Sequence, residues 1–481
     1  MQRQENLIRS SLSRVEDPVL PSAGPCNHFV DLATQVMSNR MAMDLHVLHC
    51  CGDGRPIRQG ELHDESLHRG SPGCRSVVAP STPISILGHW HIPCVVYMPH
   101  KVLAGCDDFG SRRREPAPRE GSNGPVYDAR MEHRNLGNGD LNVSVLGMGT
   151  MTFGAESDEA ASHAMLDRFA DAGGTLIDTA DVYSAGVSEE IVGRWLAKRP
   201  DRDRFVVATK GRFSADHAAD FAGASRAHLT GAVDASLRRL KVDVIDLYQV
   251  HCWDPHTSIE ETLETLTDMI RDGKVRAVGV SNYTGYQFAR AVATARLDGL
   301  APIVSLQAQY NLLERTIELE LVPVCLDEGV GLLPWSPLGG GWLTGKYSRD
   351  SVPTGDSRLG VDPTRGVEAY ALRNTDRTWN VIEACTAVAS AHDVPLSAVA
   401  LAWLRDRPAV SSVILGTRTV EQLDENLIAA DLELAADERT VLDRASAPGI
   451  PLYPHGFIER YGGDDVWERL GTRNEPPPIG A

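Results

Sequence analysis

A chain of 481 residues with 42% hydrophobic and 23% charged residues has ordinary globular composition and exceeds the usual single-domain length. The formal net charge of -18 argues against nucleic acid or an anionic membrane surface as the main partner. No window holds about 18 uninterrupted apolar residues, and Met1-Gln2-Arg3-Gln4-Glu5 lacks a signal-like apolar run, so a cytoplasmic protein is expected.

Residues 1–130 differ from the rest. They hold eight of the sixteen histidines and six of the nine cysteines, and turn residues interrupt each apolar stretch. Cys50, Cys51, Cys74, His89, His91 and Cys94 could serve a metal module, yet no paired spacing supports one. The favoured expectation is an unstructured extension or a start assigned too far upstream, with no metal site. Arg112 to Arg130 is rich in Arg, Pro, Gly and Ser, as linkers are. Three scattered thiols after residue 131 (Cys252, Cys325 and Cys385) fit a reducing compartment without disulfides.

Order begins at Met131. Asn138-Gly139 predicts a β-hairpin, because both central positions of such a turn take positive φ. Eight apolar runs follow: Val143–Leu146, Thr175–Ile177, Phe205–Thr209, Val244–Val250, Val275–Val280, Ile303–Leu306, Gly331–Trp335 and Ser412–Leu415. Helical patterns fill most of the intervals. In the clearest, Ser258 and Glu261 read as a capping box, Leu263, Leu266, Met269 and Ile270 recur at helical spacing, and Gly273 ends the helix. Eight repeats over roughly 315 residues suit an α/β protein of (β/α)₈ TIM-barrel type, with the hairpin at its N-terminus. A doubly wound sheet is the runner-up. The expected division is an extension at 1–130, a barrel at 131–446 and a Pro- and Gly-rich tail at 447–481.

Three strands run into polar residues. Leu176-Ile177 reaches Asp178 and then Tyr183, Phe205–Thr209 ends at Lys210, and Val244–Val250 ends at His251. Singly, each has an ordinary structural explanation: a loop cap, a half-buried aromatic, a surface charge, a core histidine. The repeated placement at strand ends is what points to chemistry, since barrels of this type carry active sites on that rim.

These residues belong to longer patterns: LGMGTMTFG (146–154), LIDTADVYSAGVSEEIVG (176–193), ATKG (208–211), IDLYQVH (245–251), VGVSN (278–282), LQAQYNLLER (306–315), PWSPLGGGWLTGKY (334–347) and LGTRTVEQLDEN (415–426). In that order they resemble the aldo-keto reductases over about residues 131–446. The resemblance implies a catalytic tetrad of Asp178, Tyr183, Lys210 and His251. It also implies NADPH as cofactor and a small aldehyde or ketone as substrate.

By the same resemblance, Gly149, Thr150 and Met151 would border the cofactor, and Ser281, Asn282 and Gln307 would hold the nicotinamide amide. Trp335 would stack on the ring. Ser336, Leu338, Gly340 and Leu343 would line the pyrophosphate, Gly416, Thr417, Arg418, Gln422 and Asn426 the adenosine phosphate, and Lys346 would also bind the cofactor. The forked guanidinium of Arg418 suits a 2′-phosphate, which favours NADPH over NADH. Phe153 and Trp253 would frame the substrate, together with the insertion from Tyr347 to Arg373. The alternative is a non-catalytic cofactor-binding subunit like the channel β subunits. No oligomeric state is implied.

The physics of the tetrad is direct. A free tyrosine, with a pKa of about 10, shuttles protons poorly near neutral pH. A cation about 4 Å away at an effective dielectric near 20 contributes about 4 kcal/mol. Lys210 is therefore expected to pull Tyr183 down, with Asp178 holding Lys210 charged and His251 donating to the carbonyl oxygen.

Overall fold

The structure is a computed structural model that describes residues 131–214 and 222–462. Two short strands open it, β1 (His133–Asn135) and β2 (Asn142–Ser144), paired antiparallel with Asn135 opposite Asn142. The hairpin is as expected, but its turn is not. Residues 136–141 form a longer loop, and the left-handed residue is Gly137 (φ 57°) rather than Asn138 or Gly139. Docking decides this: a Cβ on Gly137 would lie 2.6 Å from the Gly331 amide nitrogen, and Asn138 N donates to Gly329 O at 2.7 Å.

The run Val143–Leu146 also divides. Val143 stays in the hairpin, and the first barrel strand, β3, is Leu146–Gly149. Ser144 makes the break, its hydroxyl accepting from Thr175 N at 2.9 Å and donating to Leu146 O at 2.6 Å.

Strands and helices then alternate: α1 (Glu159–Asp171), β4 (Leu176–Asp178), α2 (Val187–Leu196), β5 (Val206–Gly211), α3 (Arg226–Leu240), β6 (Ile245–Val250), α4 (Ile259–Arg271), β7 (Val275–Ser281), α5 (Gly285–Leu297), β8 (Ile303–Gln307), α6 (Leu321–Glu328) and β9 (Gly331–Leu332). After a long segment with short helical turns at Arg358–Val361 and Tyr370–Arg373 come α7 (Asp376–His392), α8 (Leu396–Arg405), β10 (Val413–Gly416), α9 (Val420–Leu427) and α10 (Ala436–Ser446). Strands β3 to β10 form one parallel sheet in the order β10-β3-β4-β5-β6-β7-β8-β9. Its ends meet through Leu332 N to Ala409 O, Ser411 N to Leu332 O and Ile414 N to Pro334 O, at 2.8, 3.0 and 3.0 Å. This is the (β/α)₈ barrel. β9 is short because Pro334 has no amide proton to give.

Inside the barrel, Leu176, Ala208, Leu247, Val304, Leu333 and Ile414 pack with Leu136 and Val143 of the hairpin, which stoppers the amino-terminal end. The larger core lies between barrel and helices. Caps set the helix starts. Ser258 accepts from Glu261 N at 3.1 Å, but the Glu261 carboxylate accepts from Arg226 N at 2.9 Å, tying α4 to α3 instead of closing a box. The reciprocal box occurs at Thr284 and Gln287, opening α5. Residues 1–130 and 463–481, with the expectations placed on them, lie outside the described residues.

Candidate active site

Alternation along β5 sets the centre of the site. Ala208 faces the barrel interior, so Lys210 does too. Lys210 is fully buried, and its ammonium donates to Asp178 Oδ2 at 2.7 Å, Thr179 O at 2.8 Å and Tyr183 Oη at 3.3 Å. Those three bonds use all its protons. The other Asp178 oxygen accepts from Gln307 Nε2 at 2.8 Å. Tyr183 opens a tight turn after β4 in which Ser184 and Ala185 are left-handed (φ 49° and 53°), and Ser184 Oγ donates to Phe153 O at 2.8 Å. His251 follows β6, its ring edge-on to Tyr183 at 5.9 Å and to Phe213 at 5.0 Å.

Electrostatics assign states to these groups. Burial works most strongly against the Lys210 charge, but Asp178 and Tyr183 together outweigh it and hold the ammonium above its ordinary pKa. Burial also lifts the Tyr183 phenol above 10, and Lys210, pulling downward as expected, does not overcome it. For His251, burial and the charges of Lys210 and Arg212 push the imidazole down to about 3, so it is neutral near pH 7. Its buried Nδ1 has no hydrogen-bond partner.

Asp178, Tyr183 and His251 open on a cavity of about 730 Å³ at the carboxyl ends of the strands. Gly149, Thr150, Met151, Ser281, Asn282, Gln307, Trp335, Ser336, Leu338, Gly340, Lys346, Gly416, Arg418, Gln422 and Asn426 line it as well. Asn282, left-handed at φ 56°, donates to His251 O at 2.9 Å and accepts from Trp335 Nε1 at 3.1 Å.

Besides Lys210, which lies beneath the cavity, four residues singled out by sequence are not in the lining. Leu343 and Thr417 are fully buried, the Thr417 hydroxyl donating to Met165 Sδ at 3.4 Å. Phe153 is fully buried in the core, and Trp253 packs edge-on against Tyr283 at 5.1 Å.

The insertion supplies what the sequence reading missed. Arg358, Arg365 and Glu368 line the cavity from one side, Glu156 and Glu425 from others. Arg418 Nη1 donates to Asp356 O at 2.8 Å, and Arg365 lies 3.7 Å from Glu156, so two links tie the insertion to the opposite wall. Burial and the charges of Arg418 and Arg358 push the Lys346 ammonium down. Three cations thus repel one another at one end of an open groove, which suits a multiply charged anion. The only local signal for Arg358 is Ser357, a helix cap whose hydroxyl accepts from Gly360 N at 3.0 Å.

A family model described as the aldo/keto reductase family matches residues 145–447. The chain belongs to that family. Among its relatives, Protein tas of Escherichia coli is 34% identical over 340 residues, covering 64% of this chain and 95% of that protein. Norsolorinic acid reductase B of Aspergillus parasiticus is 33% identical over 361 residues, covering 69% and 91%. A probable voltage-gated potassium channel subunit beta of rice is 35% identical over 305 residues, covering 63% and 92%. Members of this aldo/keto reductase family act on small carbonyl compounds, and the barrel rim of this chain carries its cavity where such chemistry sits.

Proposed function

We propose that the protein reduces aldehydes or ketones to alcohols with NADPH, and that Tyr183 is the proton donor. The observation that carries this reading is the three-way contact of Lys210 with Asp178, Thr179 and Tyr183 beneath an open cavity. A bound dihydronicotinamide supplies a hydride, which no side chain can. Tyr183 gives its phenolic proton to the carbonyl oxygen as charge develops there. Lys210 then faces the phenolate and neutralises it, while Asp178, fixed by Gln307, keeps Lys210 charged and in place. Neutral His251 has one N–H to offer the same oxygen, without adding a second full charge to the site.

The donor set fits the cofactor. Gly340 and Gly341 are left-handed (φ 66° and 97°) in the loop after β9, where backbone amides can approach a phosphate. Trp335 offers an indole for stacking on a nicotinamide, beside Ser281 and Asn282. Lys346, Arg358 and Arg418 provide three cations for the phosphates, and the forked guanidinia favour NADPH over NADH. A panel of carbonyl compounds with NADPH consumption as readout tests the activity. Equal affinity for the two cofactors in a fluorescence titration would remove the preference. Similarity to the rice channel subunit favours one second reading, a cofactor-binding regulatory subunit without turnover. Reduction of 4-nitrobenzaldehyde separates the two.

A further inference from the structure

Behind the tetrad, between the barrel wall and helices α2 and α3, lies a buried polar cluster that the proposed chemistry does not use. Glu189 of α2 is fully buried, and both its oxygens are occupied. One accepts from the Thr209 hydroxyl at 2.6 Å and the other from Arg239 Nε at 2.7 Å. Asp181 is buried close by, and its Oδ1 has no hydrogen-bond partner. The Tyr248 hydroxyl of β6 is also buried without a partner, and both carboxyl groups act on it electrostatically.

The cluster presses on the backbone that builds the site. A Cβ on Gly211 would run into the Tyr248 hydroxyl, and one on Gly186 would lie 2.8 Å from the Arg239 side chain. Asp181 itself starts the turn that carries Tyr183. Its amide donates to Lys210 O at 3.1 Å, and Tyr183 N donates to Ala180 O at 3.2 Å. Ser184 and Ala185 hold left-handed conformations that only surrounding contacts maintain.

A buried carboxylate needs donors, and Asp181 has an oxygen without one beside a neighbour that is already an anion. A proton on Asp181 would remove the unpaired buried charge. We propose that Asp181 is a positioning residue for Tyr183: as the neutral acid it lets residues 180–186 stand against the Glu189–Arg239 pair, and as the anion it is driven from Glu189 and draws Tyr183 away from Lys210. This rests on the reading of Tyr183 as proton donor. The groups that face Asp181 are Glu189 on α2, Arg239 on α3, Thr209 and Lys210 on β5 and Tyr248 on β6. Burial and then Glu189 raise its carboxyl to about 7, against the pull of Arg239, the Val182 amide and Lys210. The change of state therefore falls near neutrality.

Two measurements test it. Hydrogen exchange of the peptide spanning Val182–Gly186, corrected for intrinsic rates, needs no substrate. In the wild-type protein its protection should fall above pH 7 by up to about tenfold per pH unit, the limit for one coupled proton. In Asp181→Asn, which stays uncharged, protection should not depend on pH. Wild-type protection that is flat from pH 6 to 8 overturns the proposal, whatever the variant does. In the second measurement, kcat for carbonyl reduction should fall across pH 7 in the wild type and lose that limb in Asp181→Asn. The same limb in both proteins also overturns it. If neither protein reduces any carbonyl compound, the proposed activity fails on its own account, and the exchange data still decide whether Asp181 holds the turn.

Discussion

At the scale of single residues, the proposed reaction separates a proton donor from the groups that hold it. Tyr183→Phe should lower kcat by roughly 10² to 10⁴ while leaving the NADPH Kd within about twofold, since a positioned proton donor is worth that much. Retained turnover would remove Tyr183 from its role. Because burial holds the phenol above 10, Tyr183 itself should add no limb to the reduction profile below pH 9. The reverse oxidation, which needs the phenolate, should rise with pH over the same range in Asp181→Asn, where no second group moves Tyr183. His251 makes a prediction about stability. Its folded pKa of about 3 lies below the ordinary value near 6.5, so the unfolded chain binds the extra proton as pH falls. The stability it contributes is complete above pH 6.5 and is lost toward pH 3. His251→Gln should therefore lose less Tm than the wild type between pH 7 and 4, read by thermal denaturation. The meeting of Asp178, Tyr183, Lys210 and His251 was legible because strands that end in polar groups are a local pattern. Phe153 and Trp253 were not resolved by the same logic. Side chains in a loop turn to either side without any periodicity to announce it, and Phe153 turns into the core.

At the scale of elements, the hairpin and the insertion close opposite ends of the barrel. Leu136 is fully buried among interior residues of five or more strands, so Leu136→Ala should cost about 2–5 kcal/mol in denaturant unfolding. A loss below about 1 kcal/mol would mean that the stopper is dispensable. At the other end, Glu156 and Arg365 are partly exposed, and their 3.7 Å pair contributes little to stability, about 0–1 kcal/mol. Glu156→Ala should leave Tm nearly unchanged yet speed NADPH release several-fold in stopped-flow fluorescence, because the pair ties the insertion across the groove. An unaltered release rate would show that the insertion does not limit cofactor exit. Repeating strands and helices were readable from periodicity. The split of Val143–Leu146 was not, because the hydroxyl of Ser144 bonds across to Thr175, a partner distant in sequence.

At the scale of the molecule, the barrel with its hairpin spans the residues that the family model matches and a little more. Residues 131–481 expressed alone should fold with a Tm close to that of the full chain and should keep NADPH binding. Loss of either would assign residues 1–130 a structural part. Among the described residues no single helix is long and apolar enough to cross a membrane. The chain's own order of residues determined the alternation of strands and helices and the polar residues delivered to one rim, since both follow from spacing along the backbone. Only the folded barrel decided which charges stand together. Lys346, Arg358 and Arg418 come from separate segments, as do Asp181, Glu189 and Tyr248. The proton states of Lys346 and Asp181 depend on burial and on neighbours across space, and neither exists until the chain closes on itself.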